Sequence, residues 1–270
     1  ALSVIFAVLS VLAWVALRRL GGETPIFPIQ GADLLGRGVR LASQFELLGR
    51  TWALTESSLA GLGLVLTLSG LCFLLGLPTP HGWAFYPFGL IALSALTMAL
   101  TAQQFVYALL FIWLAGCLLV FVLAGGRPGD TTAALRTLVF VSFGVMPLLL
   151  LQRYLPADAT GYVGVPGVAD SIAANQVGQA ATLLMTAGLA ILLMMVPFHG
   201  QLVAMGAHSA PMAVPFVLIA LPTVVMHTFF RLWEAHPALL GDDFAFDVCR
   251  WTGLAAVALG ALGALGQRGW

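Results

Sequence analysis

Long apolar runs separated by short polar interruptions dominate the chain. A helix needs about 20 apolar residues to cross the roughly 30 Å hydrocarbon core of a bilayer. On that rule the pattern predicts eight spans, over residues 1–17, 57–76, 85–102, 104–124, 132–151, 174–196, 213–232 and 250–268. The runs 85–102 and 104–124 are parted only around Gln103 and Gln104, which demands a tight antiparallel hairpin. The longest interruption, residues 18–56, contains the partly amphipathic piece GADLLGRGVRLASQFELLGR, expected to lie along the interface with its arginines toward headgroups. Proline has no amide hydrogen and clashes with the preceding helical turn, so the helix over 174–196 is expected to break near Val196–Pro197. The fold class that follows is all-α, a polytopic transmembrane bundle of about eight spans with one helix interrupted near Pro197. Residues 1–56 read as a first membrane helix plus the arginine-bearing interfacial segment, and residues 57–270 as the bundle.

Composition strengthens this reading. Of 270 residues, 60% are hydrophobic and 8% charged, with a mean hydropathy of +1.01, against about 25% charged in soluble domains. So few charges cannot cover the surface of a soluble domain of this size, whereas lipid solvates an apolar exterior. The formal net charge is zero, which points away from nucleic acid as a partner. All eleven basic residues are arginine. Cys72, Cys117 and Cys249 lie on or beside apolar runs without CxxC or Cys/His spacing, so they read as small buried hydrophobes. The opening segment ALSVIFAVLSVLAWVAL lacks a basic leader and a small-residue cleavage site and reads as a membrane helix, not a signal peptide.

Charges within spans are costly unless paired or able to snorkel, about 3 kcal/mol at a helix centre, so they are the first candidates for function. Arg136 lies about 7 Å into its span at helical rise, within snorkelling reach. His227 sits near the end of 213–232, followed by Phe229, Phe230 and Arg231. The linker LLMMVPFHGQLVAMGAHSAP adds His199 and His208 around the break at Pro197. These four side chains are the candidates for an ion path or for structural polar roles. Met185, Met194, Met195, Met205, Met212 and Met226 cluster in the last third, where soft packing between helices accounts for them without copper. GxSxG, HExxH and Walker motifs are absent from the sequence. No cofactor or metal is expected in this chain, and no redox or hydrolytic site is legible in it.

With the spans in place, the order of local features resembles the antiporter-like membrane subunits of respiratory complex I, multisubunit cation/proton antiporters and membrane-bound hydrogenases. The resemblance runs over residues 45–268. It rests on FELLGRTWALTESSLAGLGLVLTLSG, on FYPFGLIALSALTMALTAQQFVYALLFIWLAG, on TTAALRTLVFVSFG, on GLAILLMMVPFHGQL with APMAVPFVLIALPTVVMHTFFRL, and on LGALGALGQRGW. The Pro–Phe–His at 197–199 is the most specific part and resembles the turn after the family's interrupted helix. The family's ion-translocating series is a Trp–Glu pair, a lysine after an Ala–Ala, a lysine five residues before Pro–Phe–His, and a lysine or histidine on the following helix. Here Trp113 is followed by Leu114, Ala133–Ala134 lead to Arg136, Leu192 precedes Pro197, and Thr223 falls near the last position. Gln201 stands where the family usually carries tryptophan. Leucine exchanges no proton and arginine stays charged, so the resemblance implies a degenerate or truncated relative. The chain holds one of the family's two inverted repeats and little more, which leaves a fragment and a shortened relative as alternatives.

The resemblance implies a membrane subunit of a proton- or cation-translocating complex of the complex I type, in a bacterial inner membrane, surrounded by lipid and by other membrane subunits. The alternatives are the membrane partner of a bicarbonate or carbon dioxide uptake system and a purely structural subunit. A soluble partner carrying redox centres fits the first, and one carrying zinc fits the second. Five arginines in residues 18–56 place that segment in the cytoplasm by the positive-inside rule, whereas the resemblance places it outside.

Overall fold

A computed structural model describes residues 5, 8, 9, 11, 12, 44–47, 50–53, 56–124, 131–155, 174–236 and 243–266. They form strands β1 (Gln44–Leu47) and β2 (Arg50–Ala53) and helices α1 (Glu56–Leu75), α2 (Phe85–Thr101), α3 (Phe105–Ala124), α4 (Thr132–Leu151), α5 (Ala174–Leu192), α6 (Gly200–His208), α7 (Ala213–Ala235) and α8 (Asp243–Gly266). Four helices are long and apolar enough to cross a membrane: Ser58–Leu75 within α1, α3, α4 and α7. The shorter apolar stretches Phe85–Thr101 and Ala180–Leu192 lie beside them, so the chain has the character of an integral membrane helix bundle. Of the 1–17 run, residues 5, 8, 9, 11 and 12 are helical and the rest lies outside the described residues. The 174–196 run stops at Leu192. The 250–268 run starts earlier than its hydropathy suggests, at Asp243, and takes Asp247 and Arg250 into the helix.

The described residues are overwhelmingly helical, as the all-α expectation has it, with one short two-stranded hairpin beside the bundle. Within and just after the piece expected to lie along the interface, QFEL and RTWA pair as an antiparallel hairpin in the register Gln44↔Ala53 to Leu47↔Arg50. Polar and apolar residues alternate in QFEL, the period of a strand and not of a helix. Residues 31–43 of that expected segment lie outside the described residues.

Helix α7 is the centre of the bundle, in contact with α1, α2, α3 and α5. Its inward face, Phe216, Val217, Ala220, Leu221, Val224 and Val225, is fully buried. Helix α1 runs antiparallel to α7, with Phe73 meeting Phe216 at the start of α7, ring centroids 5.2 Å apart, and Gly61 meeting His227 near its end, whereas α2 runs parallel to α7, with Phe85 beside Phe216 and Ala102 beside Arg231. Small residues set the closest approaches. A Cβ on Gly116 of α3 would fall on Val141 of α4, one on Gly144 would fall 2.7 Å from Leu192, and one on Gly188 would fall 2.5 Å from Leu148 and 3.0 Å from the Gly144 carbonyl oxygen. Lipid gives no hydrophobic drive for helix association, so such close backbone packing holds the α3, α4 and α5 row together.

Prolines act unequally. Pro147 and Pro222 sit inside the continuous helices α4 and α7. The break at the end of α5 begins ahead of Pro197. Met194 has φ 54°, its amide donates to Ile191 O at 3.1 Å, and the amide of Met195 donates to Ala190 O at 2.9 Å. That pair of bonds around a left-handed residue is a Schellman stop, which satisfies the last helix carbonyls. The Val196–Pro197 peptide is cis, and α6 starts at Gly200.

Candidate functional site

The candidate residues lie toward two opposite ends of the bundle. Helix α5 stops part-way along α4, where Leu192 packs on Gly144, and α6 then lies against the first turns of α4 at the end where that helix begins. Gln201 on α6 is 0% exposed. Its Nε2 donates to Ala133 O at 3.3 Å and to Thr137 Oγ1, and the Thr137 hydroxyl donates to the same Ala133 carbonyl at 2.8 Å. One amide thus ties the interrupted helix to α4. Gln201 Oε1 is buried with no partner, as is Nδ1 of half-buried His199; each such buried group costs about 1–3 kcal/mol until it is satisfied. Pro197 is exposed, and His208 is half-buried in the last turn of α6. A cleft of about 540 Å³ lies beside it, lined by Pro80, Ser209, Pro211, Val214 and Pro215 among others, without a titratable side chain. Arg136, on the same end of α4, is exposed on the outer face, where its guanidinium has the snorkelling route to headgroups and water.

The other end carries Arg231 and His227, one turn apart on α7. Arg231 Nη1 donates to Ala102 O at 2.7 Å, occupying a carbonyl that the end of α2 leaves free. His227 is half-buried, with Nδ1 3.3 Å from where a Cβ on Gly61 would lie. Its Nε2 is buried and has no partner. The structure therefore gathers Arg136, His199 and His208 at one end and sets His227 apart at the other.

Little connects the two ends chemically. Helices α1 to α5 and α7 carry no Asp, Glu or Lys between their first and last turns. The hydroxyls of Thr67, Thr101, Thr137, Thr186, Thr223 and Thr228 each donate to a carbonyl of their own helix. Leu192 is 2% exposed and fills the space at Gly144. Leu114 is 43% exposed on the outside of α3, next to Trp113, whose indole donates to Ser142 Oγ at 3.1 Å. Among the described residues, no group of three His, Cys, Asp or Glu side chains is placed to hold a metal ion. Met185 Sδ accepts a weak hydrogen bond from the Trp233 indole at 3.3 Å, and Met195 Sδ lies 4.0 Å from Thr252 Oγ1, whose hydrogen goes to Val248 O at 2.6 Å.

No family model and no curated protein matches this chain. The site thus rests on its own geometry. Sequence reasoning singled out the histidines and Arg136 and treated Gln201 only as a departure from the family pattern. Its burial was foreshadowed by its place on the short piece between Pro197 and Pro211, where a polar side chain among Leu, Val, Ala and Met has few places to bond except a neighbouring helix.

Proposed function

We propose that the chain is a membrane subunit of a proton- or cation-translocating complex of the complex I type, with degenerate ion-translocating positions, in a bacterial inner membrane. The observation that carries this reading is the interrupted helix: α5 stopped at Met194, the Pro–Phe–His turn at 197–199, and short α6 returned to α4 through Gln201. Membrane proteins tolerate non-helical backbone at depth only where protein or a hydrated cavity satisfies it, and such breaks are where transporters place polar groups. The eight-span count belongs to this proposal, with residues 1–17 and α8 completing the bundle. Arg50, Arg153 and Arg231 lie at one end, which favours that end as cytoplasmic.

Degeneracy is supported by Leu192 and Leu114, an apolar plug and a lipid-side residue at the positions where the resemblance calls for a base and an acid. The chain then contributes helices and interfaces to an assembly whose conducting groups are elsewhere. Gentle extraction of the tagged chain from its native membrane tests this. Other membrane subunits are expected to co-purify with it in stoichiometric amounts, with flavin and iron–sulfur absorbance. A soluble zinc-containing partner without redox centres selects the inorganic-carbon uptake alternative, and a chain that emerges alone from every mild detergent contradicts both.

A further inference from the structure

We propose that the β1–β2 hairpin is a strap that closes one end of the bundle and controls the access of water to the His227 imidazole. Four contacts converge on that end. Trp52 of β2 is 3% exposed, its ring edge-on to Phe111 at 5.3 Å and to Tyr107 at 6.3 Å. The backbone of Trp52 bridges that of Ala102 in the turn between α2 and α3. The carbonyl of the same Ala102 receives Arg231 Nη1 at 2.7 Å. One turn before Arg231, the His227 ring rests against Gly61, beside which Leu100 of α2 also packs. Ala102 is therefore the node between the hairpin and the His227–Arg231 pair.

A two-stranded hairpin is marginal by itself and needs its docking contact, whereas the helices it touches are held by a long buried core. The hairpin is thus the element of this end with the lowest cost of opening, and it opens as a unit. In the closed form His227 Nε2 is buried without a partner. Release of Trp52 uncovers the α2–α3 turn, frees Ala102 from its bridge and lets water reach the imidazole and satisfy that nitrogen. Docking of the tryptophan and hydration of the histidine oppose each other, which leaves the strap poised. This inference is independent of the complex to which the chain belongs.

Carbethoxylation of histidines by diethyl pyrocarbonate, read residue by residue by mass spectrometry on the full chain in vesicles, tests it. His227 is expected to react slowly in the wild type and at least about tenfold faster in Trp52→Ala, with Trp52→Phe close to wild type, since loss of a buried tryptophan shifts a local opening equilibrium strongly. His199, at the opposite end, is expected to keep its rate. An unchanged His227 rate in Trp52→Ala overturns the strap, and so does an equal rise at His199, which signals general loosening. Should Trp52→Ala fail to insert, wild-type chain in sub-denaturing urea serves instead: amide exchange of residues 50–53 and labelling of His227 must rise together, and exchange without labelling overturns the proposal.

Discussion

Gly188→Val is expected to break the α4–α5 pair and to leave the chain aggregated or poorly inserted. Helices α4 and α5 touch where Gly188 faces Leu148 and Gly144, and a Cβ at 188 would lie 2.5 Å from Leu148 Cγ and 3.0 Å from the Gly144 carbonyl oxygen. The leucine can rotate, but the carbonyl belongs to the backbone of α4. The helices must therefore separate, and the separation also withdraws Leu192 from Gly144 and strains the stop at Met194. Overpacking typically costs about 1–3 kcal/mol, and a β-branched residue against backbone belongs at the upper end of that range or above it. Thermal unfolding in detergent should fall by several degrees or more at roughly 2–4 °C per kcal/mol for a chain of this size. Gly188→Ala is expected to lose less. Gly253→Val on α8, where nothing lies within 4 Å of the added Cβ, should leave the midpoint nearly unchanged, so an equal loss at both positions would contradict the packing account.

The second large effect is at Gln201, where two substitutions of similar size should diverge. Gln201→Glu removes the amide donor and sets a carboxylate opposite the Ala133 carbonyl, acceptor against acceptor, in a position that is 0% exposed. An uncompensated buried charge typically costs about 3–5 kcal/mol. Gln201→Met removes the same donor but also removes the unpartnered Oε1, and because the Ala133 carbonyl keeps the Thr137 hydroxyl the loss is that of a hydrogen bond alone, about 0.5–1.5 kcal/mol. Melting midpoints of the two variants measure the difference: Glu far below Met at neutral pH, with the gap narrowing at pH 4 as the carboxyl becomes protonated. Equal midpoints at neutral pH would show that the Gln201 side chain meets water, and that α6 is not tied to α4 as described.

Much of the bundle was legible because hydropathy and length are local properties. The runs 57–76, 104–124 and 132–151 match α1, α3 and α4 to within a residue, and the Gln103–Gln104 turn follows from the absence of spare residues. Proline was the less reliable sign. Pro147 and Pro222 are absorbed within helices, while the interrupted helix ends earlier than its proline, at a methionine in a left-handed conformation that no propensity favours. The hairpin at 44–53 was hidden by Arg37, Arg40 and Arg50, which give the 31–50 piece an interfacial character, although the alternation in QFEL already carried the strand period. The candidate site was legible only as a roster of residues. That His227 stands apart from His199 and His208 follows from the direction of each helix, which the sequence alone specifies weakly.

The purified chain alone is expected to carry no protons across the bilayer, an expectation that rests on the described helices α1 to α5 and α7. No Asp, Glu or Lys stands between the first and last turns of α1 to α5 and α7, the hydroxyls of Thr67, Thr101, Thr137, Thr186, Thr223 and Thr228 donate within their own helices, and His227 lies toward the opposite end of the bundle from His199 and His208. The most direct measurement is proton flux in vesicles that contain only the purified chain, with a pH-sensitive dye inside and an imposed pH gradient together with a potassium diffusion potential. Dye responses indistinguishable from protein-free vesicles are the predicted result. Uptake that scales with the amount of chain reconstituted, and that is lost in His227→Ala, would contradict it.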